Sequence, residues 1–403
     1  MKVCMLAYTF YESDNRVRRY AETLVRRGDQ VEAIVLRRDG QPAFEDIAGV
    51  KVFRVQKRVR NERNAASYLI KLLLFLVRSA VAVTMSHFRR RYDLIHVHSV
   101  PDFEVFATLI PKLMGTKVML DIHDIVPEFY GSKFKVSERS LVFRLLVLME
   151  RLSTAYCDHV IIANHIWHSK LVARSTRAEK CTPIINYPDP AIFFARSRTR
   201  QSGDFVICYP GTLNSHQGVD RAIMAVASLR DKLPNLKFLV VGDGPDLEKL
   251  KAMVVELGVS DRVSITGSVP IEQVAETMAN VDLGVVPKRA DSFGNEAFST
   301  KIMEFMAMGV PVLASATSVD RYYFNPKIVE FFDSSSVDDL AGKIQYLALN
   351  SVRRESLRVN ALEFVGTYNW RVKGGEYLDL VDRLVKPITA TVGARPTRHE
   401  AGF

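Results

Sequence analysis

Cysteine is scarce in this 403-residue chain, and its four copies are scattered: Cys4, Cys157, Cys181 and Cys208 form no Cys-x-x-Cys pair. A zinc knuckle or a disulfide framework needs paired spacing, so neither is expected, and a reducing cytosol is the simpler setting. Glycine is missing from the turn after the first strand-like run, residues 7–15. The Gly-x-Gly-x-x-Gly dinucleotide fingerprint is therefore absent there, and at 242–247 its third glycine is replaced by Leu247. A dinucleotide-dependent oxidoreductase is disfavoured. No small-residue cleavage site follows the opening MKVCMLAYTF, which reads as a strand and not as a signal peptide. With 48% apolar and 25% charged residues, the composition excludes a disordered, collagenous or multi-span membrane chain.

What the chain has in excess is positive charge, and only in one half. Residues 1–190 hold 30 basic and 20 acidic side chains, and residues 191–403 hold 25 of each, so the net +10 lies entirely in the first half. A one-sided basic field suggests an anionic partner: a membrane surface, a nucleic acid or a phosphorylated substrate.

Short apolar runs alternate with helical patterns throughout, which predicts an α/β protein with parallel sheets. Strands are expected at 2–8, 30–36, 50–55, 93–99, 117–123, 159–163 and 183–186, then at 204–211, 236–244, 262–267, 281–287, 310–315 and 329–332. Helices are expected at 15–27, 102–114 and 139–155, the first capped by Ser13 or Asp14. The Pro-, Arg- and Ser-rich stretch between the two arrays reads as a linker. The expected layout is a lobe at 1–190, a linker at 191–203, a second lobe at 204–368, a final helix at 369–386 and a disordered tail at 387–403. The segment 68–85 is apolar and long enough to span a bilayer, yet it carries Lys71 and Arg78. A connecting helix with a large apolar face fits it better than a span, and contact with a membrane surface stays open.

The most informative stretch is 293–315, FGNEAFSTKIMEFMAMGVPVLAS. Ser299 or Thr300 can cap a helix that Gly309 ends before a buried strand. Between 297 and 319 only Lys301 and Glu304 are charged. They could simply pair at i,i+3. Alternatively, a diphosphate sits at the helix N-terminus, where free N–H groups favour anions. Glu296 and Glu304 would then accept sugar and ribose hydroxyls on either side, since a carboxylate offers one acceptor to each hydroxyl of a diol.

Glu296-x7-Glu304 with the following FMAMGVPV resembles the signature of the family 4 retaining glycosyltransferases. Further matches run in order along the chain: the turn at Tyr209-Pro210-Gly211-Thr212-Leu213, the Gly242-Asp243-Gly244-Pro245 turn, the linker motif at Asn186 to Asp189 with Phe193, and the run Leu120-Asp121-Ile122-His123-Asp124. The resemblance implies the GT-B fold: two Rossmann-like, doubly wound lobes facing across a cleft, with a C-terminal helix crossing back to the first lobe. It implies a nucleotide-sugar donor, of UDP or GDP type, bound by the second lobe and a saccharide acceptor on the first. It also implies retention of configuration, with the leaving phosphate taking the acceptor proton, and no cofactor or bound metal.

Laid over this sequence, the resemblance makes His123 and Glu296 catalytic. Gly211, Gly242, Gly244, Phe298, Ser299, Lys301 and Glu304 become donor-binding, and the nearby acids Asp124 and Glu128 are weaker candidates, Asp124 as a phosphate or acceptor contact. Where the family usually carries Arg and Lys against the leaving diphosphate, this chain has Thr212 and Gln217. Lys301 is the favoured replacement cation, with Lys288, Arg289 and His216 as alternatives, because stabilising developing charge is a large catalytic term. Arg16 and Arg19 are candidate phosphate or acceptor contacts. The basic first lobe, the run at 54–63 and the apolar helix suggest a lipid-linked saccharide acceptor at an anionic membrane surface, with no nucleic-acid partner. The expected protein is cytoplasmic and peripheral on the inner face of the cell membrane, working in exopolysaccharide or lipopolysaccharide synthesis. An epimerase or phosphorylase of the same fold, and a silent nucleotide-sugar-binding scaffold, are the alternatives.

Overall fold

A computed structural model describes residues 1–58, 65–134, 136–200 and 203–386. The end of the basic run at 54–63 and the tail at 387–403 lie outside the described residues. Over the described residues the chain divides into two units, one of residues 1–186 with 374–386, the other Tyr187–Lys373. The division falls at Asn186, not at 190, and the residues expected as a linker belong to the second unit.

In the first unit the strands are β1 (Lys2–Ala7), β2 (Gln30–Arg37), β3 (Phe44–Ile47), β4 (Val50–Lys57), β5 (Leu94–His98), β6 (Lys117–Ile122), β7 (His159–Ile162) and β8 (Cys181–Pro183). They form one sheet in the order β3-β4-β2-β1-β5-β6-β7-β8, parallel except for β3 on β4. β1 and β5 are buried at every position, as expected of central parallel strands with helices on both faces. The unexpected strand is β3, whose sequence FEDI is mostly exposed and which pairs antiparallel at the sheet edge. The last strand lies at Cys181–Pro183, earlier than the expected 183–186.

The helices of this unit are α1 (Asn15–Arg26), α2 (Ala65–Arg89), α3 (Leu109–Leu113), α4 (Val126–Phe134), α5 (Leu141–Tyr156) and α6 (His165–Arg174). Asp14 caps α1, its carboxylate accepting from the N–H groups of Arg16 and Val17 at 3.2 and 3.1 Å. The expected helix at 102–114 is a 3-10 segment, Asp102–Thr108, that runs into the short α3.

The second unit carries β9 (Phe205–Pro210), β10 (Leu236–Val241), β11 (Val263–Ile265), β12 (Leu283–Val286), β13 (Val312–Ser315) and β14 (Glu330–Phe332), in the order β11-β10-β9-β12-β13-β14, all parallel. Its helices are α7 (Val219–Ser228), α8 (Leu247–Glu256), α9 (Ile271–Ala279), α10 (Thr300–Ala307), α11 (Ser318–Tyr323), α12 (Val337–Leu349) and α13 (Ser351–Thr367). The final helix, α14 (Trp370–Val385), begins in the second unit, and from Gly374 it belongs to the first. There Tyr377 is fully buried, its ring 4.3 Å from that of Tyr20 and its hydroxyl 3.1 Å from His96 Nδ1.

Both sheets are doubly wound. In each, the strand order reverses beside the first strand of the array: between β1 and β5, and between β9 and β12. Loops leaving the carboxyl ends of strands on either side of such a reversal diverge and open a crevice, which is where open α/β sheets bind ligands.

Candidate active site

Four loops gather at the reversal in the second sheet. Gly211 and Thr212 leave β9, Gly242 to Pro245 leave β10, Lys288 and Arg289 follow β12, and the turn 292–297 leads into α10. Gly242 lies so close to the Gly211 carbonyl that a Cβ there would collide with it, and a Cβ on Gly244 would strike the Leu213 backbone. Glycine is needed at both positions because two backbones meet. Gly211 in turn has Lys301 lying across it, with the Lys301 side chain where a Cβ would project.

The Lys301 ammonium lies 3.5 Å from Gln217 Oε1 and 5.4 Å from the centre of the Tyr209 ring. Tyr209 O–H is 3.0 Å from the same Gln217 oxygen and 2.9 Å from the Thr212 carbonyl. Lys301 thus reaches Gln217, one of the two positions where the expected cations are missing, and lies across Gly211, the neighbour of the other, Thr212. Burial lowers the pKa of this lysine, and the nearby Glu304 carboxylate opposes that shift. Ser299 takes the N-cap position of α10, but its hydroxyl makes no capping bond. That hydroxyl is buried and has no partner among the described residues. Glu296 lies in the turn before α10 and Glu304 within the helix, as the spacing implied. The Phe298 ring sits edge-on to Tyr323 at 4.8 Å.

Two of the candidate phosphate contacts are committed elsewhere. Lys288 is buried; its ammonium donates to the Ala297 carbonyl at 2.6 Å and pairs with the buried Asp320 at 3.0 Å. It braces the turn that carries Glu296. Arg289 makes a two-pronged pair with Asp220 at 2.6 and 3.0 Å and also donates to the Ser215 carbonyl, fixing the turn at Ser215–Gln217. A guanidinium or ammonium already satisfied by a carboxylate has little left for a phosphate. His216 stacks edge-on against Phe293 at 5.5 Å.

The first unit holds a second cluster at its own reversal. Asp121, fully buried on β6, accepts from Arg16 Nε and Nη2 at 2.7 and 2.8 Å. The same Asp121 oxygen, Oδ2, lies 3.3 Å from His98 Nδ1 and 3.1 Å from His123 Nε2. Arg16, expected as a phosphate or acceptor contact, is therefore structural: it is buried and also donates to the Ile184 carbonyl at 3.0 Å. Arg19 is likewise buried and donates to Asn186. Glu128 is held by Arg174 at 2.6 and 2.9 Å. Burial would raise the Asp121 pKa, but Arg16 and His123 outweigh it and hold the carboxyl well below its usual range. Burial also pushes His96 and His98 below the ordinary histidine value.

His96, His98 and Asp121 bring three donor atoms within 4.8 Å of one another. With both Asp121 oxygens accepting from a guanidinium, this set is an ion-pair hub that orients His123, and it offers a metal no free carboxylate. His98 and Asp121 were not assigned from the sequence. The signal available was the alternation of His96 and His98, which puts both on one face of a strand.

Next to His123 is a cavity of about 250 Å³ whose lining includes Tyr8, Asp14, Arg58, Tyr68, His98 and Asp124. The Arg58 guanidinium lies over the Tyr8 and Tyr68 rings at 5.0 and 5.6 Å. Burial raises the Asp124 pKa, against the pull of His123 and Arg16.

Comparison with known proteins agrees with this architecture. Residues 13–186 match the family model "Glycosyl transferase 4-like domain", and residues 192–364 match "Glycosyl transferases group 1". Over 203 residues the chain is 29% identical to GDP-mannose-dependent alpha-(1-6)-phosphatidylinositol monomannoside mannosyltransferase of Mycolicibacterium smegmatis. That match covers 48% of this chain and 52% of the relative, so it spans about half the relative's length. Among solved structures, sucrose-phosphate synthase from Thermosynechococcus elongatus superposes with a TM-score of 0.78 at 19% identity, covering 94% of this chain and 98% of that one. Anabaena HepE in complex with UDP-glucose gives 0.73 at 17% identity, covering 95% of this chain and 100% of that one. Two family models in tandem, on two doubly wound units, leave one assignment: the chain belongs to the family 4 glycosyltransferases and has the GT-B fold.

Proposed function

We propose that this chain transfers a sugar from a UDP- or GDP-type nucleotide sugar to a hydroxyl of a saccharide acceptor, with retention of configuration. The acceptor is lipid-linked, the product contributes to a cell-surface polysaccharide, and the protein works as a peripheral protein on the cytoplasmic face of the cell membrane. One observation carries the donor half: Lys301, in the first turn of α10, lies across the Gly211 turn at the sheet reversal, and the N-cap residue of the same helix, Ser299, holds a buried hydroxyl with no partner among the described residues. These are the groups that hold a diphosphate. Lys301 and the Ser299 hydroxyl would meet its oxygens, with the Phe298 and Ser299 amides nearby. Glu296 would hold hydroxyls of the sugar and Glu304 those of the ribose.

Charge grows on the diphosphate as the glycosidic bond breaks, so a cation fixed beside it stabilises the transition state more than the ground state. The leaving phosphate then takes the acceptor proton. The acceptor half is supported by the cavity beside His123, where the tyrosine rings offer stacking faces for a sugar and Arg58 a charge for a phosphate. The M. smegmatis relative is named for a GDP-mannose donor and a phosphatidylinositol-linked acceptor, which supports a lipid-bound acceptor here.

Thermal shift with UDP, GDP and their sugars tests the donor site, since a ligand bound only by the native state raises its Tm. Glu296→Ala and His123→Ala should each lower turnover by about a hundredfold or more with the fold intact. No shift with any nucleotide, or wild-type turnover in both variants, would sink the assignment.

A further inference from the structure

The helix α2 is apolar on both of its sides. Leu72, Phe75, Ser79 and Val83 form the buried stripe, against the 3-10 segment Asp102–Thr108 and the sheet. On the opposite side Ile70, Leu73, Val77, Val81 and Met85 are all exposed, at 65, 46, 60, 53 and 55%. By length and composition Ser67–Arg89 could cross a membrane, and 22% of its most apolar window is buried. A surface helix in water keeps its outer face polar, so the second stripe points to a second apolar environment.

α5 makes the stronger case because it is inside out. Its buried face holds Glu150, Ser153 and Thr154 beside Phe143, with Glu150 tied to Arg174 at 2.6 and 2.8 Å. Its outer face presents Leu141, Leu145, Leu148 and Leu152, at 72, 54, 49 and 48% exposure. A helix that turns its carboxylate and two hydroxyls inward and its leucines outward, beside arginines, is not built to end in water. α2 and α5 flank the same 3-10 segment, and α3, which continues it, adds exposed Leu109 and Leu113. Isolated exposed leucines mean little, but stripes on three adjoining elements form a patch of the kind that marks an interaction site.

Charge selects the occupant. α2 contains no acidic residue, and the one acid of α5, Glu150, is buried. The exposed charges on these two helices, Arg78, Arg89, Arg144 and Arg151, are all positive. A two-fold contact with a second copy would bring these arginines against their own kind. An anionic bilayer surface matches both the leucines and the arginines.

We propose that the first unit docks on an anionic lipid surface through the outer stripes of α2 and α5. The inference deepens the peripheral location proposed above and rests on that reading only for why such a surface is sought. Tyr68, in the first part of α2, also lines the cavity beside His123, so the docked helix would lie at the entrance of the acceptor pocket.

The test is sedimentation of the full chain with phosphatidylglycerol-containing vesicles and with phosphatidylcholine vesicles. The expected result is binding to the anionic vesicles at least about tenfold tighter than to the zwitterionic ones, weakened further in high salt by screening. Leu145→Glu/Leu148→Glu and, separately, Val77→Glu/Val81→Glu should each abolish sedimentation while Tm and the nucleotide-induced thermal shift stay as in wild type. Wild-type protein that ignores anionic vesicles, or glutamate variants that bind them unchanged, would overturn the proposal. A wild-type dimer made monomeric by these variants, without vesicle binding, would overturn it in favour of a second copy. Because the thermal shift is read separately, failure here is distinguishable from failure of the donor-site reading.

Discussion

Arg16 grips Asp121 with two parallel hydrogen bonds, and both side chains are almost wholly shielded from water. Two-pronged geometry and the added contacts from His98 and His123 make the pair a fixed hub that carries a candidate catalytic histidine. Removing either partner strands a buried charge, which costs about 3–5 kcal/mol. Arg16→Ala and Asp121→Ala should each show that loss in urea unfolding. The double variant should be less destabilised than the sum, because the second change removes the stranded charge. Additive losses would mean the two do not act as a pair.

Lys301 should behave as a nucleotide-binding cation. Lys301→Ala is expected to weaken nucleoside diphosphate binding by about tenfold or more, the scale of one lost charge-assisted hydrogen bond. Gln217 lies next to the lysine's ammonium, so the double variant Lys301→Met/Gln217→Lys should recover part of that affinity. Titration calorimetry with UDP and GDP reads both effects, and unchanged affinity in Lys301→Ala would move the diphosphate elsewhere.

Gly242→Ala should be costly although the change is a single methyl group. The new Cβ meets the Gly211 carbonyl, a backbone atom with no rotamer to escape into. Overpacking of this kind costs about 1–3 kcal/mol. It should also disturb the turn over which Lys301 lies, so a lowered Tm is expected together with weaker nucleotide binding.

Glu104 gives a pH signature. It is fully buried beneath α2 beside Ser79, and burial pushes its carboxyl up to about 8. An unfolded glutamate ionises near about 4.3. Between those two values the unfolded chain releases this proton and the folded one keeps it, so the residue lowers stability as pH rises through that window. Glu104→Gln removes the penalty. The Tm advantage of the variant should be near zero at about pH 4.5 and grow to several degrees by about pH 8. A constant offset across that range would show that Glu104 is already ionised in the native protein.

The two βα arrays were legible in the sequence because central parallel strands are continuous apolar runs bounded by turns. β3 was not, because FEDI at a sheet edge has exposed side chains and no apolar run to betray it. The candidate donor loop was legible through one helix: a serine at its N-cap position, two charges in an otherwise apolar stretch and a terminating glycine. What the sequence could not supply was the partner of each cation. Arg16, Lys288 and Arg289 all sit near a site and all looked available. Their acids Asp121, Asp320 and Asp220 lie 105, 32 and 69 positions away in the chain, and only folding brings them together. Local pattern likewise suggested the length of α5 but gave no reason to expect its polarity to be reversed.

The last helix has a consequence for synthesis. Tyr377, Leu380 and Val381 are core residues of a unit whose other strands and helices are all complete by residue 186. A chain emerging amino end first must make the whole second unit before these three side chains exist. The first unit therefore waits, with the faces around Tyr20 and His96 uncovered, until the second unit has been synthesised, and a truncation that removes α14 should leave the first unit exposed to proteases and aggregation.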